Sequence, residues 1–84
     1  MTTLMVLFQI SAEASAKFGA SFGSAIVALA AAIGISRIGA AALEAIARQP
    51  EAAGDIRSNM VVSAALIEGV AFFAIIVCAL VLFL

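Results

Sequence analysis

A chain of 84 residues that is 67% hydrophobic and 11% charged carries more apolar side chain than a soluble domain of its size can bury. Its mean hydropathy of +1.32 makes a lipid bilayer the natural solvent, and a net charge of −1 without a basic cluster excludes a nucleic-acid footprint. Histidine is absent and Cys78 stands alone, so no internal disulfide, metal site, cofactor or catalytic triad is expected.

Leu4 to Ile10 is a short apolar run, followed by Ala14, Ser15 and Ala16 in a small-x-small pattern. Met1 to Thr3 carries no Lys or Arg, as a secretion signal would. The run is therefore expected to be the outer end of a first helix, whose main body covers about 10–48. Phe18 to Ser36 is 19 residues without a charge, roughly 28 Å of helix and enough to cross a hydrocarbon core of about 30 Å. Ala12, Ala16, Ala20, Ser24, Ala28, Ala32, Ser36 and Ala40 recur every fourth residue as a stripe of small side chains. Such stripes let helix backbones approach closely in lipid. Two arrangements satisfy the stripe: a closed ring of copies packed through a thin helix one, or one hairpin with a tight internal face.

A polar loop is expected over about 49–54. Pro50 lacks an N–H and disfavours helical geometry at Gln49, so helix one should stop there. Glu44 and Arg48 are spaced i, i+4 on its last turns. Gly54 can supply a backbone angle closed to other residues, and Asp55 suits the start of a second helix over about 55–84. So short a loop makes the two helices antiparallel. Arg37, Arg48 and Arg57 flank or lie in the loop, against Lys17 on the terminal side. The positive-inside tendency then places the loop in the cytoplasm and both termini outside. Arg37 is expected to snorkel toward the cytoplasmic interface or lipid headgroups.

Met60 to Leu84 runs 25 residues, roughly 37 Å, interrupted only by Glu68. Glu68 lies within about 6 Å of the midpoint of that run. An ionised carboxylate at such depth costs about 2.5–3.5 kcal/mol or more, so the neutral, protonated form is favoured when it faces lipid. Folding the hairpin about residues 51–52 brings Gly34, Ile35 and Ser36 to its depth, with the Ser36 hydroxyl as a candidate hydrogen-bond neighbour. A helix-packing hydrogen bond is the bland role for such a residue, and ion handling the functional one. A lone carboxylate suits a carrier that is either loaded or empty. It does not suit a hydrolase, which needs a second acid, base or nucleophile. A structural or pore-forming hairpin such as a phage holin matches the length but needs neither a midplane carboxylate nor this loop.

Two motifs are specific. Ala47-Arg48-Gln49-Pro50-Glu51, after Glu44 and before Gly54-Asp55-Ile56-Arg57, marks the loop, and Ala65-Leu66-Ile67-Glu68-Gly69 follows in helix two. The pair at this spacing resembles the bacterial c subunit of F-type ATP synthases over nearly the whole chain. The family's helix-one repeat of alternating glycines is present in part, with Ala30, Ala32, Gly34 and Ser36 at the small positions. With Ala28 these are the expected ring-packing residues.

The resemblance implies an all-α membrane protein whose two-helix hairpins assemble into a homo-oligomeric ring, helix one inside and helix two outside. Glu68 would load and unload a proton at the a subunit, and membrane lipids would surround the ring in the bacterial inner membrane. Arg48, Gln49 and Pro50 would face the central stalk and pass rotation to the catalytic head, the hairpin itself being non-catalytic. Sodium-carrying members add ligands from a helix-one glutamine, a hydroxyl residue after the carboxylate and a tyrosine further along. Here Ile35, Gly69 and Phe73 hold those positions, and Val70 replaces a further hydroxyl residue. The expected ion is therefore H⁺.

Overall fold

The computed structural model describes residues 2–84. Helix α1 runs Thr2–Arg48, a 3₁₀ turn covers Pro50–Ala52, and helix α2 runs Ala53–Val81. At 1.5 Å per residue the helices are about 70 Å and 44 Å long, and the molecule measures 73 × 17 × 6 Å. Helix is the form that such apolar segments must take. Hydrocarbon offers the backbone no partner, so every N–H and C=O has to pair within its own segment.

The turn is built around Pro50. Gln49 leaves helical geometry at φ −133° and ψ 73°, as a residue before proline prefers. Its N–H still donates to the Ala45 carbonyl at 2.8 Å, and its carbonyl accepts from the Ala52 N–H at 3.0 Å. Pro50 takes a first-turn position, where a missing N–H costs nothing. Arg48 in the last turn of α1 and Asp55 in the first turn of α2 both oppose the local end of the helix dipole.

The boundaries differ from the expected ones at three places. α1 begins at Thr2 rather than near residue 10, because the apolar run Leu4–Ile10 continues the helix without a break. α2 begins at Ala53 rather than 55, because the 3₁₀ turn feeds straight into it. Gly54 is consequently helical, and no described residue has positive φ, so its conformational freedom is not used. The far end of α2 is at Val81, with the Leu84 N–H still donating to the Leu80 carbonyl at 3.1 Å.

The helices meet along a seven-residue repeat. Ala20, Val27 and Gly34, with Ser24, Ala31, Ile38 and Ala45, form the covered line of α1. Ala53, Met60, Ile67 and Ala74, with Ala64, Ala71 and Cys78, form that of α2. A seven-residue repeat holds its face toward an antiparallel partner, whereas a four-residue repeat drifts around the helix. The small-residue stripe therefore divides. Ala16, Ala20 and Ser24 lie on the seam, while Ala28, Ala32, Ser36 and Ala40 have rotated off it and are exposed.

Among the described residues, Ala20 and Ala42 are the buried hydrophobic positions, and most of the large apolar side chains are exposed. Phe72, Phe73 and Leu66 are each more than 65% exposed. A two-helix unit this open has no core of its own and needs lipid and further copies around it. Both helices are long and apolar enough to cross a membrane.

The exposed half of the stripe is where another copy can approach. Ala32→Leu should therefore break the oligomer while leaving helix content unchanged, since Ala32 has rotated off the seam of its own hairpin. Native mass and circular dichroism together check this. An oligomer of unchanged mass would remove the stripe from the assembly surface.

Candidate ion-binding site

The helix seam sets the depth and the bearing of Glu68. A Cβ added to Gly34 would sit 3.1 Å from Ile67 Cδ1, and one added to Gly23 would sit 3.3 Å from Cys78 Sγ. Gly34 and Ile67 therefore lie opposite each other, and so do Gly23 and Cys78. Both pairs place the fold centre between Pro50 and Glu51, about one residue earlier than expected. Ile67 points into the seam. Glu68, one residue and about 100° further round the helix, faces out along one edge of the hairpin.

That edge carries a groove of about 280 Å³ lined by Ile35, Ile38 and Gly39 of α1 and Met60, Val61, Ala64, Ala65 and Glu68 of α2. Apart from Glu68, no lining side chain bears an oxygen. The opposite edge holds a larger groove of about 580 Å³, centred about 9 Å further from the loop but reaching the level of Glu68, walled by Ala30, Gly34, Leu66 and Val70 among others. Its side chains are all apolar. The two edges are thus unlike: one presents a carboxylate, the other an apolar recess.

Gly34, expected among the residues between copies, packs in this hairpin against Ile67 and also walls the apolar recess. Ala28, Ala30, Ala32 and Ser36 are exposed. Ser36 matches Glu68 roughly in depth but not in bearing. It follows Ile35 by one residue, which swings its hydroxyl away from the groove that Ile35 lines. The structure does not join Ser36 to Glu68 within one chain. Among the described residues, the one side-chain hydrogen bond links Arg48 to Glu44. Ile38, Gly39 and Ala64 wall the groove and were not singled out in the sequence. Extending the seven-residue repeat from Gly34 and Ile67 to their flanking positions finds them.

At the loop end, Arg48 Nη2 lies 3.1 Å from Glu44 Oε1, with the two side chains 77% and 68% exposed. An i, i+4 pair so open to water contributes about 0.3–0.5 kcal/mol, enough to bias rotamers but not to hold the turn. Gln49 and Pro50 are exposed beside it. Arg37 is exposed on α1 between this polar end and the depth of Glu68, without an ion-pair partner among the described residues. No group of His, Cys, Asp or Glu among the described residues is placed to hold a metal ion.

The pattern of the ATP synthase C subunit family matches residues 18–81. The chain belongs to that family. The ATP synthase c subunit of Phocaeicola vulgatus is 62% identical over 82 residues, covering 96% of this chain and 98% of its own. That of Bacteroides thetaiotaomicron is 55% identical over 83 residues, again covering 96% and 98%. A more distant c subunit, from Lactobacillus helveticus, is 43% identical over 72 residues, covering 86% and 94%. The chain is thus a membrane protein of the ATP synthase, a rotor c subunit that works in the c-ring. A holin-type hairpin is not favoured. As a c subunit it should tolerate bulk poorly where its two helices are closest. Gly34→Leu should lower the thermal dissociation temperature of the ring by driving Ile67 aside. Gly54→Ala meets nothing within 4 Å and should leave that temperature unchanged or raise it. Equal behaviour of the two variants would contradict the close approach at Gly34.

Proposed function

We propose that Glu68 is the group that carries the ion in this c-ring, and that the ion is a proton. The observation that carries this reading is the position of Glu68 near the middle of α2, in a groove with no other side-chain oxygen. A sodium ion is a hard cation that needs several oxygen ligands in place of its water, whereas a proton needs one carboxylate. Ile35, at the position where sodium-type members place a glutamine, lies in the groove itself.

The unlike edges support the ring arrangement. The carboxylate edge of one copy and the apolar recess of the next make a head-to-tail contact, and contacts of that kind close into rings. The recess would then seal Glu68 with Leu66, Val70, Ala30 and Gly34 of the adjoining copy, which add no side-chain oxygen. Ser36 of a neighbouring copy is the remaining candidate hydroxyl.

A sealed carboxylate is neutral while it faces lipid, and must meet water to release its proton. The a subunit is the proposed site of that exchange. Each charge crossing 100 mV contributes about 2.3 kcal/mol, so several copies must cross per turn to drive synthesis in the head. The hairpin makes and breaks no covalent bond. Arg48, Gln49 and Pro50 at the exposed turn are the proposed contact with the central stalk. The three arginines at this end support a loop in the cytoplasm of a bacterial cell and a ring in its inner membrane.

Reaction with a hydrophobic carbodiimide tests the ion. Glu68 should be modified far faster than Glu13, Glu44 or Glu51, because the reagent partitions into the membrane and attacks the protonated carboxyl. At fixed pH, the rate should not change with sodium. Protection by millimolar sodium would overturn the proton assignment.

A further inference from the structure

The part of α1 furthest from the loop has no partner in its own hairpin. Cys78 of α2 and Leu82 just beyond it lie beside Ala20 and Ser24, so α2 finishes near the level of Ala20. Residues 2–15 of α1 continue past the last seam contact as about 21 Å of single helix.

Two features of the segment bear on what covers it. Glu13 and Lys17 stand seven residues before Ala20 and Ser24, so they extend the α2-facing line just where α2 ends. Charges on that line begin where α2 ends. Beyond them Leu4, Met5, Leu7 and Phe8 are exposed by 49%, 66%, 56% and 67%. At 100° per residue these four fall on the sides turned away from the α2 line. A helix apolar over such an arc is covered by something.

In a c-ring the neighbouring copies of α1 run parallel, so a helix that outlasts α2 still lies between the same two neighbours. Ala12 and Ala14 face those neighbours on opposite sides and are small enough for close approach. Met5 and Leu7 repeat the same opposite placement two turns further on.

We propose that residues 4–16 of adjacent copies pack side by side, beyond the membrane surface opposite the loop, into a closed collar of helices. Met5 of one copy meets Leu7 of the next, and Leu4 and Phe8 fill the interior. Val6 and Ile10 lie near the α2 line and stay at the outer surface. The collar gives the ring a second contact belt, outside the membrane and remote from Glu68.

The inference rests on the ring, and the experiment separates the two. Rings carrying Cys78→Ser with Met5→Cys and Leu7→Cys are placed in lipid nanodiscs and oxidised, and a parallel set carries Ala12→Cys with Ala14→Cys. Native mass is measured on both sets first. A monomeric or dimeric mass would refute the ring itself. With the ring intact, both pairs should form a ladder of disulfide-linked copies up to the full ring number. Glu13→Cys in the same background should give no ladder and should react with a polar maleimide. An intact ring without a ladder from either pair would overturn the collar. Cysteines introduced in place of Met5 and Leu7 that stay unlinked yet shielded from the maleimide would overturn it in favour of a segment lying on the lipid surface.

Discussion

Hydrocarbon supplies neither hydrogen bonds nor counter-charges, and that constraint orders this hairpin from backbone to function. The backbone is helical wherever it crosses, and the one departure from helical geometry sits at Gln49 and Pro50, among charged residues at the polar end. A single carboxylate is left at mid-depth. The proposed carrier role of Glu68 rests on a general cost: an ionised carboxylate in hydrocarbon is disfavoured by about 2.5–3.5 kcal/mol or more. A group that can cross lipid only when neutral can move an ion in one direction around a ring, provided its two exits to water are separate.

The packing follows from the same solvent. Between apolar helices in lipid no hydrophobic force acts, so close contact has to come from small side chains. Gly34 against Ile67 and Gly23 against Cys78 bring α1 and α2 together along a seven-residue repeat. The four-residue stripe follows this seam from Ala16 to Ser24 and then leaves it, so Ala28, Ala32 and Ser36 are exposed. One helix thus carries two periods at once. The unlike edges complete the design: a carboxylate groove on one side, and on the other a larger recess that offers it nothing but carbon.

Much of this was legible in the residues. Charge-free runs located both spans, Pro50 located the turn, and Glu68 stood out because a lone carboxylate in such a run has little structural use to offset its desolvation. The loop motif and the Glu68 motif together indicated the family. Bearings around the helix were harder. Ser36 lies within about 5 Å of the depth of Glu68, but a difference of one residue is about 100° of rotation, and depth alone cannot register it. Gly54 read as a hinge because glycine near a proline usually is one, yet the 3₁₀ turn at Pro50 reverses the chain without any left-handed residue. α1 runs on through Glu13 and Lys17 to Thr2, beyond the start expected near residue 10, because charged side chains on a surface do not end a helix.

The central claim is that one carboxylate per hairpin carries the ion. Glu68→Gln keeps the shape and the hydrogen-bonding capacity of the protonated acid but cannot release a proton. In membrane vesicles containing the whole synthase, ATP-driven proton pumping is the direct readout. The variant should assemble a ring of wild-type mass and pump no protons. A Glu68→Gln ring of normal mass that still acidifies the vesicles would contradict the account.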